Sequence, residues 1–255
     1  MILVIDVGNT HTVLGLFKER SLVHSWRIAT HMSRTEDEYG IMLHNLFAYS
    51  NLSLQAIDGM IISCVVPPML NMILVMAEKY FHVQPLVVGP GIKTGLPILL
   101  DNPREVGADR IVNAVAAYDM HRRELIVIDF GTATTFDCVS ARGEYLGGVI
   151  APGLQISTEA LYQRASKLPR VELCRPREVV GKNTVHSMQS GIVYGYLSLV
   201  DGLVDRLVAE LKFSPLVIAT GGLASLIAGS SQVIDEVDEL LTLKGLLKLY
   251  ELNRS

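Results

Sequence analysis

One pattern limits what this chain can become more than any other. A run of apolar residues that ends in Asp-x-Gly and a row of hydroxyl or amide side chains is written twice. Residues 125–136 read Leu-Ile-Val-Ile-Asp129-Phe-Gly131-Thr132-Ala-Thr134-Thr135-Phe, and residues 1–12 read Met-Ile-Leu-Val-Ile-Asp6-Val-Gly8-Asn9-Thr10-His11-Thr12. The two aspartates stand close to half of the 255 residues apart. Short β-branched runs of this kind form buried strands, so each carboxylate falls at the carboxyl end of a strand. The glycine beside it lets backbone N–H groups approach an anion. A single copy is an ordinary turn, because Asp and Gly are common turn residues. Two copies at half-length spacing predict a duplicated α/β fold, whose strand tips face each other across a cleft suited to a metal-bound polyphosphate.

Composition narrows the functional classes. With 49% hydrophobic and 19% charged residues the chain can bury a large core. A net charge of −4 argues against a general nucleic-acid or anionic-membrane binder, whose nonspecific affinity comes from clustered Lys and Arg. Cys64, Cys138 and Cys174 form no CxxC pair and have no clustered histidine, so neither a disulfide framework nor a zinc site is expected, and a reducing cytoplasm fits best. Asp6 follows the first apolar residues too soon for a signal peptide. The uncharged stretch 60–77 is split by Pro67-Pro68, which reads as strand, turn and helix rather than a membrane span.

The order of elements follows from periodicity. Residues 2–6, 12–18 and 22–28 predict a three-strand meander. Thr35 and Glu38 make a capping-box pattern before a helix over 36–50. Strand 60–66, helix 69–80 and strand 85–88 complete an α/β half. The glycines of 89–95 are spaced wrongly for a dinucleotide fingerprint. A polar connection through Asp101-Asn102-Pro103 then leads to Gly107-Ala108-Asp109-Arg110 and a helix over 111–121. The second half repeats the hairpin at 136–140 and 145–150. It continues with a helix from 153 to about 165, a charged loop, a long helix over 187–211, strand 216–220 ending in Gly221-Gly222, and helix 243–252. The expected division is one domain over 1–118 and a second over 119–255.

Phosphoryl transfer rests on positioning and charge stabilisation, and each required group has a candidate. Asp6 can orient a magnesium ion, Gly8, Asn9, Thr10, His11 and Thr12 can wrap phosphates, and Thr132 and Thr134 offer opposing hydroxyls. Gly221-Gly222 lets backbone lie against a base or ribose, or is simply a strand-to-helix turn. Gly181-Lys182-Asn183-Thr184 fails as a Walker A loop because Pro176 stands where its first glycine belongs. Asp109 beside Arg110 is either a helix cap with a solvated cation or, facing a cleft, a base with an anion clamp.

Together these segments resemble the type III pantothenate kinases. The resemblance is carried by Asp6-Val-Gly-Asn-Thr10, by residues 101–110, by Val127-Ile-Asp129-Phe-Gly-Thr-Ala-Thr134, by Gly147-Gly148-x-Ile-x-Pro-Gly153, by Thr184-x-x-Ser-Met-Gln-Ser-Gly191 and by Ala219-Thr-Gly-Gly222. Single motifs are shared with the wider actin-like ATPase superfamily, whereas Gly-Ala-Asp109-Arg110 with the 184–191 element is much narrower. The resemblance implies two duplicated ribonuclease-H-like domains with a cleft between them. It also implies ATP-dependent phosphorylation of the pantothenate primary hydroxyl, the first step toward coenzyme A, by a cytoplasmic homodimer requiring Mg2+ and a monovalent cation, K+ or NH4+. By position it implies ATP contacts at Asp6, Val7, Gly8, Asn9, Thr10, His11, Thr12, Val13 and Thr132, and a metal role for Asp6 and Asp129, the latter at the potassium ion. Pantothenate would meet Leu100, Gly107, Ala108, Asp109, Arg110 and Thr184, with Asp109 as proton acceptor.

One departure stands out. The family commonly carries a tyrosine before Asp101-Asn-Pro, and this chain has Leu100 there, which removes a hydrogen-bond donor. Two alternatives differ in class. A non-catalytic regulatory accessory protein would keep the fold but lose the acid-base residues, and Asp6, Asp109 and Asp129 are all in place. A different small-molecule kinase would alter the substrate segment, and Gly107-Ala108-Asp109-Arg110 favours pantothenate.

Overall fold

The computed structural model of the protein describes residues 1–254. The meander forms as β1 (Ile2–Val7), β2 (His11–Lys18) and β3 (Ser21–Ala29). Next come α1 (Glu36–Tyr49), β4 (Gly59–Cys64), α2 (Pro67–Met76) and the short β5 (Leu86–Val87). After α3 (Ala108–His121) the pattern begins again with β6 (Leu125–Phe130), β7 (Ala133–Val139), β8 (Tyr145–Pro152) and α4 (Leu154–Arg164). It ends with α5 (Thr184–Leu211), β9 (Leu216–Thr220), α6 (Ala224–Ala228), β10 (Glu236–Val237) and α7 (Leu241–Arg254).

The duplication is explicit in the strand order. The first sheet runs β3-β2-β1-β4-β5 and the second, read from the matching edge, β8-β7-β6-β9-β10. In each, the Asp-x-Gly strand is central, paired antiparallel with its hairpin partner and parallel with the next strand: β1 with β2 and β4, β6 with β7 and β9. A parallel partner needs a crossover, which α1 supplies in the first half and α4 with α5 in the second.

Contacts divide the chain into two units, one of residues 1–95, 101–116 and 241–255, the other of 96–100 and 117–240. Residues 241–254 at the C-terminal end thus group with the first unit. The reason lies in the two faces of the first sheet. Leu3, Ile5, Met60 and Ile62 pack with Tyr39, Leu43, Phe47, Met69 and Ile73 from α1 and α2. Strand alternation turns Val4 and Ile61 to the opposite face, and both are fully buried. Helix α7 covers them: Leu243 meets Gly15, and the Tyr250 hydroxyl stands against Gly59. Burying Leu241, Leu243, Leu246 and Leu249 contributes about 1.5–3 kcal/mol each.

In the second unit, Ile126, Ile128, Phe136 and Ala219 of the sheet pack with Leu154 of α4 and with Ile192, Tyr196 and Val200 of α5. The capping box forms: the Thr35 side chain accepts from the Glu38 amide, and the Glu38 carboxylate accepts from the Thr35 amide at 2.8 Å. Helices α3 and α5 begin earlier than periodicity suggests. The α3 helix starts at Ala108, and α5 starts at Thr184, where the Asn183 side chain accepts from the His186 amide at 2.9 Å. Helix α6 and strand β10 escape notice in the sequence because five and two residues are too short to show a period.

Candidate active site

In the first unit β1 ends at Asp6 and Val7, and residues 8–10 turn the chain into β2. The turn is closed by backbone and by a threonine. The Gly8 amide donates to the His11 carbonyl at 3.0 Å, and the Thr30 amide to the Thr10 carbonyl at 3.0 Å. The Thr30 hydroxyl donates to the Gly8 carbonyl at 2.7 Å, so the Thr12 hydroxyl, 3.0 Å away, donates to Thr30. Thr12 is buried, while Asn9, Thr10 and His11 are exposed. The Thr12 hydroxyl therefore braces the loop, and Val13 continues into β2. Thr30 is a loop-shaping residue that sequence reasoning missed, since it lies far along the chain and has no motif.

Asp6 pairs in parallel register with Ser63 of β4, which puts both side chains on one sheet face. The Ser63 hydroxyl is fully buried with no hydrogen-bond partner among the described residues. A carboxylate beside such a hydroxyl, with Asn9 and Thr10 in the adjoining loop, is a hard oxygen donor set that fits Mg2+. No group of three or more His, Cys, Asp or Glu side chains is arranged to hold a metal among the described residues. A single carboxylate completed by substrate phosphates is the usual way that Mg2+ is held.

Also in the first unit, Gly107, Ala108, Asp109 and Arg110 make the entry to α3. Asp109 lies within the first helical turn, and its Oδ1 accepts from the Arg110 amide at 2.8 Å. A Cβ on Gly107 would stand 2.6 Å from that oxygen, so a side chain there would push the carboxylate from its present position. Burial pushes the Asp109 carboxyl above its ordinary value of 3.8, and the Arg110 amide and guanidinium pull back against this. A half-buried carboxyl with a raised pKa is a better proton acceptor than a solvated one.

In the second unit Asp129 is at the end of β6, in register with Thr135 and Thr220. Gly221 follows β9 with φ of +92°. The loop after Asp129 is held by the Gly131 amide, which donates to the Ala133 carbonyl, and by the Gly153 amide, which donates to the Thr132 carbonyl at 3.1 Å. Thr132 is exposed, but Thr134 is not. The Thr134 hydroxyl is hydrogen-bonded to Tyr196 of α5 at 2.5 Å inside the core, which removes it as a partner to Thr132 at a phosphate. Thr132 lies in the loop ahead of β7, whereas Thr134 is within the strand and points inward with Phe136 and Cys138.

Thr184 is exposed at the first position of α5. The neighbouring polar residues of its motif have structural work. Ser187 donates to the Gly181 carbonyl at 3.3 Å, the Gln189 amide to the Glu172 carbonyl at 3.0 Å, and the Ser190 hydroxyl to the Val179 carbonyl. They bind the charged loop onto α5. Leu100, half-buried, packs on Gly147 of β8.

Two α/β units of one strand order, each with an Asp-x-Gly tip at its central strand, define the actin-like ATPase fold shared with sugar kinases. A glucokinase from Streptomyces griseus has this fold at TM-score 0.53 and 12% identity, covering 99% of both chains. The (R)-2-hydroxyglutaryl-CoA dehydratase component A of Acidaminococcus fermentans has it at TM-score 0.57 and 14% identity, covering 98% of this chain and 96% of that one. The sequence model of type III pantothenate kinase matches residues 2–206. A type III pantothenate kinase of Pelobacter propionicus is 62% identical over 254 residues, covering the whole of both chains. This chain belongs to the type III pantothenate kinase family, and it is a phosphotransferase.

Proposed function

We propose that the enzyme transfers the γ-phosphoryl group of ATP to the primary hydroxyl of pantothenate, with Asp109 accepting the hydroxyl proton. The observation that carries this reading is the Asp109 carboxylate itself: fixed by a backbone amide, given room by Gly107 and raised in pKa by burial. A primary alcohol is a poor nucleophile until its proton has a destination, and a carboxylate within hydrogen-bond reach both aims the oxygen and takes the proton as the bond forms. Gly107, Ala108, Arg110 and Thr184 hold the substrate, and Arg110 meets its carboxylate. Leu100 borders the substrate. Asp6, Val7, Gly8, Asn9, Thr10, His11, Val13 and Thr132 take ATP, with Thr12 supporting the loop.

Mg2+ oriented by Asp6, and K+ or NH4+ at Asp129, would supply the positive charge that offsets the polyphosphate. The chain's own part is to present oxygens and exposed backbone amides to the nucleotide and to keep Asp109 in place. The cytoplasm is the compartment, consistent with all three cysteines being free thiols. No helix among the described residues is long and apolar enough to cross a membrane.

The functional unit is a homodimer in this reading. An apolar groove along α4 and α5, lined by Leu154, Leu161, Ile192 and Leu199 around Gly191 and Gly195, is suited to a second copy. Sedimentation at micromolar concentration checks this, and a fully active monomer would remove it.

An ATP-consumption assay across pantothenate, other small hydroxy acids and sugars tests the activity. Turnover is expected with pantothenate far above the rest. Equal or greater turnover with a sugar would replace this reading by another kinase of the superfamily, and none with any acceptor would favour a regulatory role.

A further inference from the structure

We propose that Tyr145, held by Asp137, is a positioning residue that clamps the chain immediately ahead of the pantothenate-binding segment. Both side chains are fully buried in the second unit. The Tyr145 hydroxyl donates to Asp137 Oδ1 at 2.6 Å, and the Thr135 hydroxyl to Oδ2 at 3.1 Å. A buried carboxylate is costly unless such donors meet it, so this bond leaves the phenol ring one place to stand.

The fixed ring in turn fixes the Tyr145 backbone, and that backbone carries the passing segment 97–99. The Tyr145 amide donates to the Pro97 carbonyl at 2.8 Å, and the Leu99 amide donates to the Tyr145 carbonyl at 2.9 Å. Ile98 thus makes a parallel bridge with Tyr145 on the open edge of β8. Two residues later Leu100 packs on Gly147, whose Cβ, if present, would lie 3.1 Å from Leu100 Cδ2, and whose φ of +108° disfavours any side chain. A bulge between Cys138 and Val139 makes room for this arrangement, because Gly147 pairs with Cys138 while Tyr145 pairs with Val139.

Beyond Leu100 the chain passes into the first unit and becomes residues 101–110. Apart from the short helix Pro103–Glu105, nothing regular stiffens it before α3. Tyr145 therefore sets where that exposed segment begins. Without the phenol bond the free connection lengthens, and pantothenate must order more chain as it binds. The expected loss is in substrate binding rather than in the chemical step, because Asp109 belongs to α3 and keeps its own contacts. This inference rests on the reading of residues 107–110 as pantothenate contacts.

The test uses the full-length enzyme and three variants. Tyr145→Phe keeps the ring and removes the hydroxyl. Leu99→Pro removes the amide that bonds Tyr145 at an exposed position, so it decides the matter if Tyr145→Phe does not fold. Arg110→Ala runs in parallel as a check on the substrate segment. In both clamp variants the pantothenate KM is expected to rise on the order of tenfold, with kcat and the ATP KM within about threefold. Hydrogen exchange at the amide of residue 145 should quicken in both, and at that of Leu99 in Tyr145→Phe. A lower Tm with the pantothenate KM unchanged in folded clamp variants would make Tyr145 merely structural and overturn the proposal. If Arg110→Ala raises that KM, the clamp alone falls; if it does not, the pantothenate reading of residues 107–110 falls as well.

Discussion

Gly221 and Asp129 meet at the ends of neighbouring strands so closely that no side chain fits between them. A Cβ on Gly221 would stand 2.6 Å from Asp129 Oδ1 and 2.7 Å from the Phe130 carbonyl oxygen, on a backbone with φ of +92°. The second Gly-Gly motif is therefore tied to the orientation of the strand-tip carboxylate, whatever it does for a base or ribose.

Gly221→Ala should accordingly disturb the monovalent-cation site proposed at Asp129. The positive φ alone costs about 1–2 kcal/mol, and the contact pushes Asp129 aside. The expected outcome is a Tm lower by several degrees and a several-fold higher K+ concentration for half-maximal turnover. Wild-type turnover equal in Na+ and K+ would show that Asp129 does not serve a potassium ion.

Asp109→Asn separates base from cap. Turnover should fall about 100-fold to 10,000-fold, with ATP binding nearly intact. Stability moves the other way. Burial raises the folded-state pKa of Asp109 above the unfolded value, so its contribution is complete below the unfolded pKa and is lost as pH rises through the folded one. At pH 7 the wild type carries that cost and the variant does not. Thermal melts should therefore place Asp109→Asn at or above wild type at pH 7, with the gap closing below about pH 4. Near-wild-type turnover in the folded variant would remove Asp109 from the mechanism.

The two threonines of the second loop should part company. Thr134→Val loses the bond to Tyr196, though Tyr196 keeps the Pro152 carbonyl at 2.9 Å. It should cost about 0.5–1.5 kcal/mol of stability and leave the ATP KM within twofold. Thr132→Val, at an exposed position, should raise the ATP KM several-fold with an unchanged melt. Denaturant titrations beside steady-state kinetics distinguish them, and an ATP effect from Thr134 would contradict its burial.

Leu100→Tyr should lower the pantothenate KM by about twofold to tenfold with little change for ATP, the worth of one neutral hydrogen bond. An unchanged or raised pantothenate KM would show that position 100 serves its contact with Gly147 and not the substrate.

The duplication, the strand-tip aspartates and the capping box at Thr35 were legible in the chain because each is local: a period of two, a carboxylate at the end of an apolar run, a hydroxyl three residues before a glutamate. The family was legible for the same reason, in contiguous motifs from residue 6 to residue 222. Tertiary structure alone decided what depends on partners distant in sequence. Helix α7 has an amphipathic pattern that names no sheet, and only the uncovered face around Val4 and Ile61 sends it to the first unit. Thr12 and Thr134 look like phosphate ligands in one dimension, yet Thr30 and Tyr196, 18 and 62 residues away, turn both into braces. Likewise the Asp109 carboxyl acquires its raised pKa from burial, and desolvation is a property of what surrounds a residue, not of the residues beside it in the chain.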